Sequence, residues 1–289
     1  VGQKIGRKKA NRIPDLRGFS TLAPRAHSIS PVYSWLQRLR SLRYRFWYDV
    51  SERVRWSRGA FHETPSGKLP DLTPEQTQRI AALQGRYQVR FELGMTAVTA
   101  RNNYEYLDIL DRAWAVDGRL RPRGGVLCDV GCASFWYAAA LDAFFSPTRI
   151  VGVDVEGHRL FRDGHTRIDY ATGYLAPFSH ARFVVADYRE VDLRAEIITA
   201  WFPFVTAAAL LAWRLPLSLL DPLALFRRVH ANLVPDGMFV LINHGHSEAD
   251  TAENLCAAAG LRRLFRYDEP GLLSDHRPRT AILSAWRRS

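Results

Sequence analysis

Three aspartates end three successive apolar runs: Asp129 in VLCDV (126–130), Asp154 in RIVGVD (149–154) and Asp187 in RFVVAD (182–187). A carboxylate at a strand end accepts from the hydroxyl and amino groups of a ligand. The bland role of such an Asp is to cap a helix or form a turn. The first run leads into DVGCAS, residues 129–134, where Asp129, Gly131, Cys132, Ala133 and Ser134 make a strand-to-helix turn. A dinucleotide loop requires three glycines there, because pyrophosphate must approach the backbone and the helix must pack close. Here bulky Phe135 and Trp136 stand where the third would be, and no GK[ST] follows for a mononucleotide loop. One glycine followed by a helix N-terminus suits a ligand with a carboxylate and no phosphates.

A second polar group ends a later apolar run, MFVLINH (238–244). His244 stands at the same expected edge, and histidine as a residue type ordinarily titrates near neutrality, so it is the candidate base. His244, His246 and Glu248 are spaced as on a strand but are interrupted by Gly245, and no metal is assigned to them. Asn243 lies beside them. The three cysteines, Cys128, Cys132 and Cys256, are an odd number without zinc-knuckle spacing and are expected as reduced thiols.

These groups need a frame that brings strand ends together. From residue 125 the chain alternates strand and helix. Strands are expected at 126–130, 149–154, 182–187, 196–202 and 238–244, with helices near 134–145, 157–175, 219–233 and 250–259. The first five strands are apolar on both faces, as in a parallel sheet covered by helices. Two more, 261–267 and 280–286, are so closely spaced that one is expected to be antiparallel. Ahead of the sheet, TPEQ at 73–76 is a capping box with Pro at the first helical position. It opens a helix with an apolar stripe of Ile80, Leu83, Tyr87 and Phe91. A second helix over 101–115 places Tyr104, Leu107, Leu110 and Trp114 on one side. These two helices either cover the ligand edge or add core.

The ordered set DVGCAS, GVD, VADY and VHANLVPDGMFVLIN resembles the class I S-adenosylmethionine-dependent methyltransferases over about residues 100–289. The resemblance implies an α/β fold with a doubly wound, seven-stranded, mostly parallel sheet, order 3-2-1-4-5-7-6, strand 7 antiparallel. It implies S-adenosylmethionine as cofactor. Asp129 and Gly131 would serve the methionine end, with Cys132, Ala133 and Ser134 completing the loop. Asp154, followed by Val155, would take the ribose hydroxyls. Asp187 would take the adenine amino group, with Tyr188 beside the ring, although Glu190 or Asp192 can serve instead of Asp187. Trp201 ends the fourth strand at the same edge. The loop departs from the pattern, because Ala133 or Ser134 stands in for the usual second glycine.

Methyl transfer aligns an acceptor atom with the sulfonium methyl, and a base is needed only if the acceptor loses a proton. Amino-acceptor relatives often carry an Asn- or Asp-Pro-Pro-aromatic motif after the fourth strand. Here Trp201-Phe202-Pro203-Phe204 has no polar head, which favours a small-molecule acceptor methylated on oxygen. An RNA or protein methyltransferase, and a binding protein of this fold without turnover, remain alternatives.

Charge is concentrated at one end. Residues 1–48 hold eleven Lys or Arg and the single acid Asp15, against a formal net charge of +11 for all 289 residues. Residues 1–72 are expected as a basic arm, an amphipathic helix at 33–56 and a linker at 57–72. Residues 73–289 are expected as the sheet domain with its preceding helices. The first expectation for 33–56 is a helix that packs its aromatics on the domain and solvates its arginines. Contact with nucleic acid or an anionic surface is the alternative for residues 1–48. The N-terminal residues form no apolar signal region, and the longest uncharged run, Ile197–Trp213, is too short to span a bilayer. The expected location is the cytoplasm. The oligomeric state is not legible.

Overall fold

The computed structural model describes residues 31–69, 71–269, 273 and 281–288. The expected arm lies outside the described residues except for its last two positions.

The apolar runs become β1 (Val126–Val130), β2 (Arg149–Asp154), β3 (Ala181–Val185), β4 (Ala195–Trp201) and β5 (Leu233–His244). Two further strands, β6 (Leu261–Glu269) and β7 (Ala281–Arg288), complete one sheet of order 3-2-1-4-5-7-6. Strands β1 to β5 pair in parallel, and β7 runs antiparallel to both β5 and β6. The expected fold class is the one observed.

Alternating residues of each strand feed two core layers. Leu127, Ile150, Ile197 and Val240 face α2 (Pro74–Tyr87), α3 (Ala97–Asp117), α4 (Ala138–Phe145) and α5 (Arg167–Leu175). Cys128, Val151, Ile198 and Phe239 face α7 (Pro222–Asn232) and α8 (Gly245–Ala258). A short α6 (Ala207–Ala212) follows β4. All three cysteines are buried free thiols.

Several expectations change in detail. Tyr104, Leu107 and Leu110 of α3 are fully buried, so this face of the helix is a core layer. The helix expected at 157–175 begins only at Arg167, where Thr166 and Asp169 form a capping box; Gly164 before it has a positive φ. Helix α8 starts five residues early, directly after β5, because Glu248 accepts the His244 backbone N–H at 3.0 Å. The Pro235-Asp236-Gly237 segment lies inside β5, accommodated by a register shift against β4.

The expected linker is a strap. The Phe61 N–H donates to the Asp169 carbonyl at 2.9 Å, and the Arg58 N–H donates to the Asp169 carboxylate at 3.0 Å. Further on, Glu63 accepts from the Thr96 N–H at 3.1 Å and from the Thr99 hydroxyl at 2.6 Å. The segment thus ties α5 to the start of α3.

Helix α1 (Pro31–Val54) docks through polar groups. Ser41 accepts from the Leu217 N–H at 2.9 Å, Arg45 donates to Ser218 at 3.0 Å, and Tyr48 donates to the Val155 carbonyl at 2.9 Å. Its aromatics Trp35, Phe46 and Trp47 are exposed, which overturns the expectation that they pack on the domain. The docked face carries Ser41, Arg45 and Tyr48, and the apolar residues lie on other faces.

Candidate active site

The strand ends converge as the parallel order requires. β1 lies between β2 and β4, so the turn after it meets β2 on one side and β4 on the other. Gly131 has φ +72, and a Cβ there would meet nothing within 4 Å. The turn is held down by its own backbone, with the Gly131 N–H donating to the Val153 carbonyl at 2.8 Å. Ala133 and Phe135 also take positive φ, at 50° and 53°. This turn therefore achieves with ordinary residues what a glycine-rich loop does with glycines, at a cost in backbone strain. Phe135 turns inward and is fully buried. Its ring stands 2.5 Å from where a Cβ of Gly152 would be, so the glycine of GVD makes room for it.

Asp154 faces this turn. Its Oδ2 accepts from the Ala133 N–H at 2.8 Å, and its Oδ1 accepts from the Glu156 N–H at 2.9 Å. Buried Arg167 donates to Asp154 at 3.2 Å and pairs with Glu156 at 2.8 Å. Burial raises the Glu156 carboxyl above its usual range, against the opposing pull of Arg167 and Arg159. Burial also works against the Arg167 charge, but the two carboxylates hold its guanidinium above its ordinary value.

Asp129 is fully buried and contacts no solvent. Tyr137 donates to its Oδ2 at 2.6 Å, and Thr199 of β4, its register partner, donates to Oδ1. Burial pushes the Asp129 carboxyl up to about 7, although both hydroxyls favour the ionised form. Above it Tyr106 stacks on Trp201 with centroids 3.9 Å apart and lies 4.7 Å from Tyr137.

Asp187 is half-buried and held by Arg189, whose Nε donates to its two oxygens at 2.9 and 3.0 Å. Burial opposes ionisation, but these bonds keep the carboxyl below its usual value. Tyr188 lies away from this edge, in the core layer against α7, where Asn232 donates to its hydroxyl at 3.1 Å. Its expected place beside a ligand ring is therefore corrected to a packing role.

At the other side of the edge His244 is exposed and stacks on Phe202, with centroids 3.6 Å apart and planes 2° from parallel. His246 turns away to Arg266, 3.0 Å distant. Among the described residues no group of three His, Cys, Asp or Glu is placed to hold a metal. Two buried polar groups at the edge, the Trp201 indole N–H and the Asn243 amide, have no partner among the described residues. Val155 contributes its carbonyl to Tyr48, and beside it a cleft of about 620 Å³ opens between α1 and the loop after β2. Glu156, His158 and Arg159 line one wall, and Arg43, Tyr44 and Trp47 line another. That volume is within the range of small-molecule sites.

The parallel order with a reversed seventh strand, and a single-glycine turn between acids on adjacent strands, decide the architecture. The chain has the class I methyltransferase fold. Solved structures with a similar fold include three methyltransferases. A TehB-like SAM-dependent methyltransferase from Corynebacterium glutamicum aligns at 16% identity, over 64% of this chain and 88% of that one, with TM-score 0.41. An S-adenosylmethionine-dependent methyltransferase from Clostridium acetobutylicum aligns at 9% identity, over 74% and 98%, with TM-score 0.44. One from Mesorhizobium loti aligns at 16% identity, over 62% and 100%, with TM-score 0.43. No family model matches the sequence, and no curated protein matches it.

Within the class I fold the structure brings together Asp129, Gly131, Cys132, Ala133, Asp154 and Trp201, and it leaves Tyr188 outside. Sequence reasoning missed Tyr106, Tyr137, Thr199, Glu156 and Arg167. Thr199 carried a signal, as the one hydroxyl in an otherwise apolar strand core. Glu156 carried another, two residues beyond Asp154 and so on the same side of an extended chain.

Proposed function

We propose that this chain is an S-adenosylmethionine-dependent methyltransferase acting on a small-molecule acceptor, with oxygen as the acceptor atom. The carrying observation is the turn at Gly131, open above its Cα and joined to Asp154 through the Ala133 N–H at 2.8 Å. The residues fit the cofactor at two points. Gly131, with Ala133 and Ser134, leaves room for the methionine end. Asp154 accepts three N–H bonds, and a carboxylate has about four lone-pair positions, so capacity remains for a ribose hydroxyl. At Asp187 the fit fails, because Arg189 engages both oxygens; no adenine contact is assigned to it. Asp129 is too deeply buried to meet an ammonium group and acts as the anchor of Tyr137.

The bound cofactor supplies an electrophilic methyl group. The chain's own residues do the rest. Tyr106, Tyr137 and Trp201 form an aromatic wall that excludes water from Asp129. His244, held flat on Phe202, is the group that can accept a hydroxyl proton at Nδ1 or Nε2. The aromatic Trp201-Phe202-Pro203-Phe204 segment offers no amine-binding head, which supports the oxygen acceptor.

Calorimetric titration with S-adenosylmethionine and S-adenosylhomocysteine tests the reading. Binding in the micromolar range should weaken by about tenfold or more in Asp154→Ala, the size of one or two lost charge-assisted hydrogen bonds. A folded protein that binds neither compound would sink it. The grip of Arg189 on Asp187 favours one second reading, a binding protein of this fold without turnover. Cofactor binding without methyl release to any small hydroxylated acceptor would select it. If the enzyme reading holds, His244→Ala should lower turnover while leaving cofactor affinity unchanged.

A further inference from the structure

Helix α1 presents an apolar stripe that the described residues leave uncovered. Trp35, Leu39, Leu42 and Phe46 follow one another at spacings of four, three and four, which at about 100° per residue keeps them within one narrow face. They are 59%, 44%, 67% and 60% exposed. The docked side, with Ser41, Arg45 and Tyr48, lies around the helix from this stripe. Arg38, Arg40 and Arg43 are exposed on the same helix, and no acid occurs between Trp35 and Tyr48. Seven more basic residues and the single acid Asp15 precede it within residues 1–30.

We propose that α1 is an interfacial anchor that lays this stripe into the headgroup boundary of an anionic bilayer. Tryptophan and phenylalanine occupy that boundary well, leucines reach the acyl region below it, and flanking arginines remain at the phosphate level. The opposite charges match: a cytoplasmic-type anionic surface attracts basic segments, each Lys or Arg adding to the attraction. A second copy of the chain fits the stripe less well, since it would bring two arginine-rich helices together. Nucleic acid also fits less well, since phosphates and bases make no use of Leu39 and Leu42. The bilayer uses both the charge and the aliphatic residues. No described helix is long and apolar enough to cross the membrane, so the contact is to its surface.

The anchoring is independent of what the sheet edge binds, and it is tested without cofactor. The full chain is floated with vesicles of phosphatidylcholine alone and of phosphatidylcholine with about 30% phosphatidylserine, a strongly anionic surface. The expected result is flotation with the anionic vesicles, a blue shift of tryptophan emission, and little binding to the neutral ones. A variant carrying Trp35→Ser, Leu39→Ser, Leu42→Ser and Phe46→Ser changes only exposed side chains. It should keep its thermal transition and lose binding by at least about tenfold, as buried apolar area sets interfacial affinity. Equal flotation of the variant would overturn the proposal. So would a lipid-free dimer of the full chain that the variant abolishes, or RNA binding that depends on the stripe while anionic vesicles are ignored.

Discussion

Asp129 carries the least expected property of any single residue. Burial raises its carboxyl toward neutrality, against the donated bonds of Tyr137 and Thr199. Its folded pKa of about 7 stands above the ordinary 3.8, so the folded protein retains a proton that the unfolded chain releases between those values. The associated stability is complete below pH 4 and is lost as pH rises through 7. Other carboxylates, such as Asp169, are shifted downward and act in the opposite sense. The comparison with Asp129→Asn isolates the one group: denaturant titrations from pH 4 to 8 should show wild type losing stability relative to the variant as pH rises. Parallel curves would mean that Asp129 is ionised in the fold. The position of each acid was legible in the sequence, because strand ends show as apolar runs that stop. The partner of each acid was not. Arg167 is 13 residues from Asp154 and Thr199 is 70 from Asp129, and only the folded sheet decides those meetings.

Among the elements, the strap at 57–69 was least legible. Its Gly, Pro and Ser residues read as a linker, and composition carries no trace of contacts made far along the chain. Glu63 is its anchor, accepting from the Thr96 N–H and from the Thr96 and Thr99 hydroxyls. Glu63→Ala removes the acceptor from a partly buried set of donors, which costs about 1–3 kcal/mol. Calorimetric melting should register this as a lower Tm, with Glu63→Gln intermediate. An unchanged Tm would show that the strap is not seated in solution. Helix α8 shows the same limit: its early start rests on one carboxylate, Glu248, reaching back four residues to the His244 N–H.

At the scale of the molecule, the sheet order followed from the family resemblance, and the alternation of strand and helix supported it. Periodicity alone left open which strand was reversed. The two core layers meet across β1, β4 and β5, whose central residues are fully buried, whereas Trp35, Leu36, Leu39 and Leu42 in α1 are exposed. Hydrogen exchange should therefore separate the chain into two tiers. Amides of 127–130, 197–201 and 239–242 should exchange only by global unfolding, and those of 35–47 by local opening, several orders of magnitude faster. Equal protection of the two sets would show that α1 opens only together with the sheet.

The strap also sets an order of events during synthesis. Ser57 bonds to Asp169, 112 residues further along. A ribosome adding about 5–20 residues per second delivers that partner roughly 5–20 seconds after the strap itself. During that interval α1 is already made and has no sheet edge to settle on. Throughout that interval the arginine-rich, aromatic helix is unattached to the sheet and free to meet another surface.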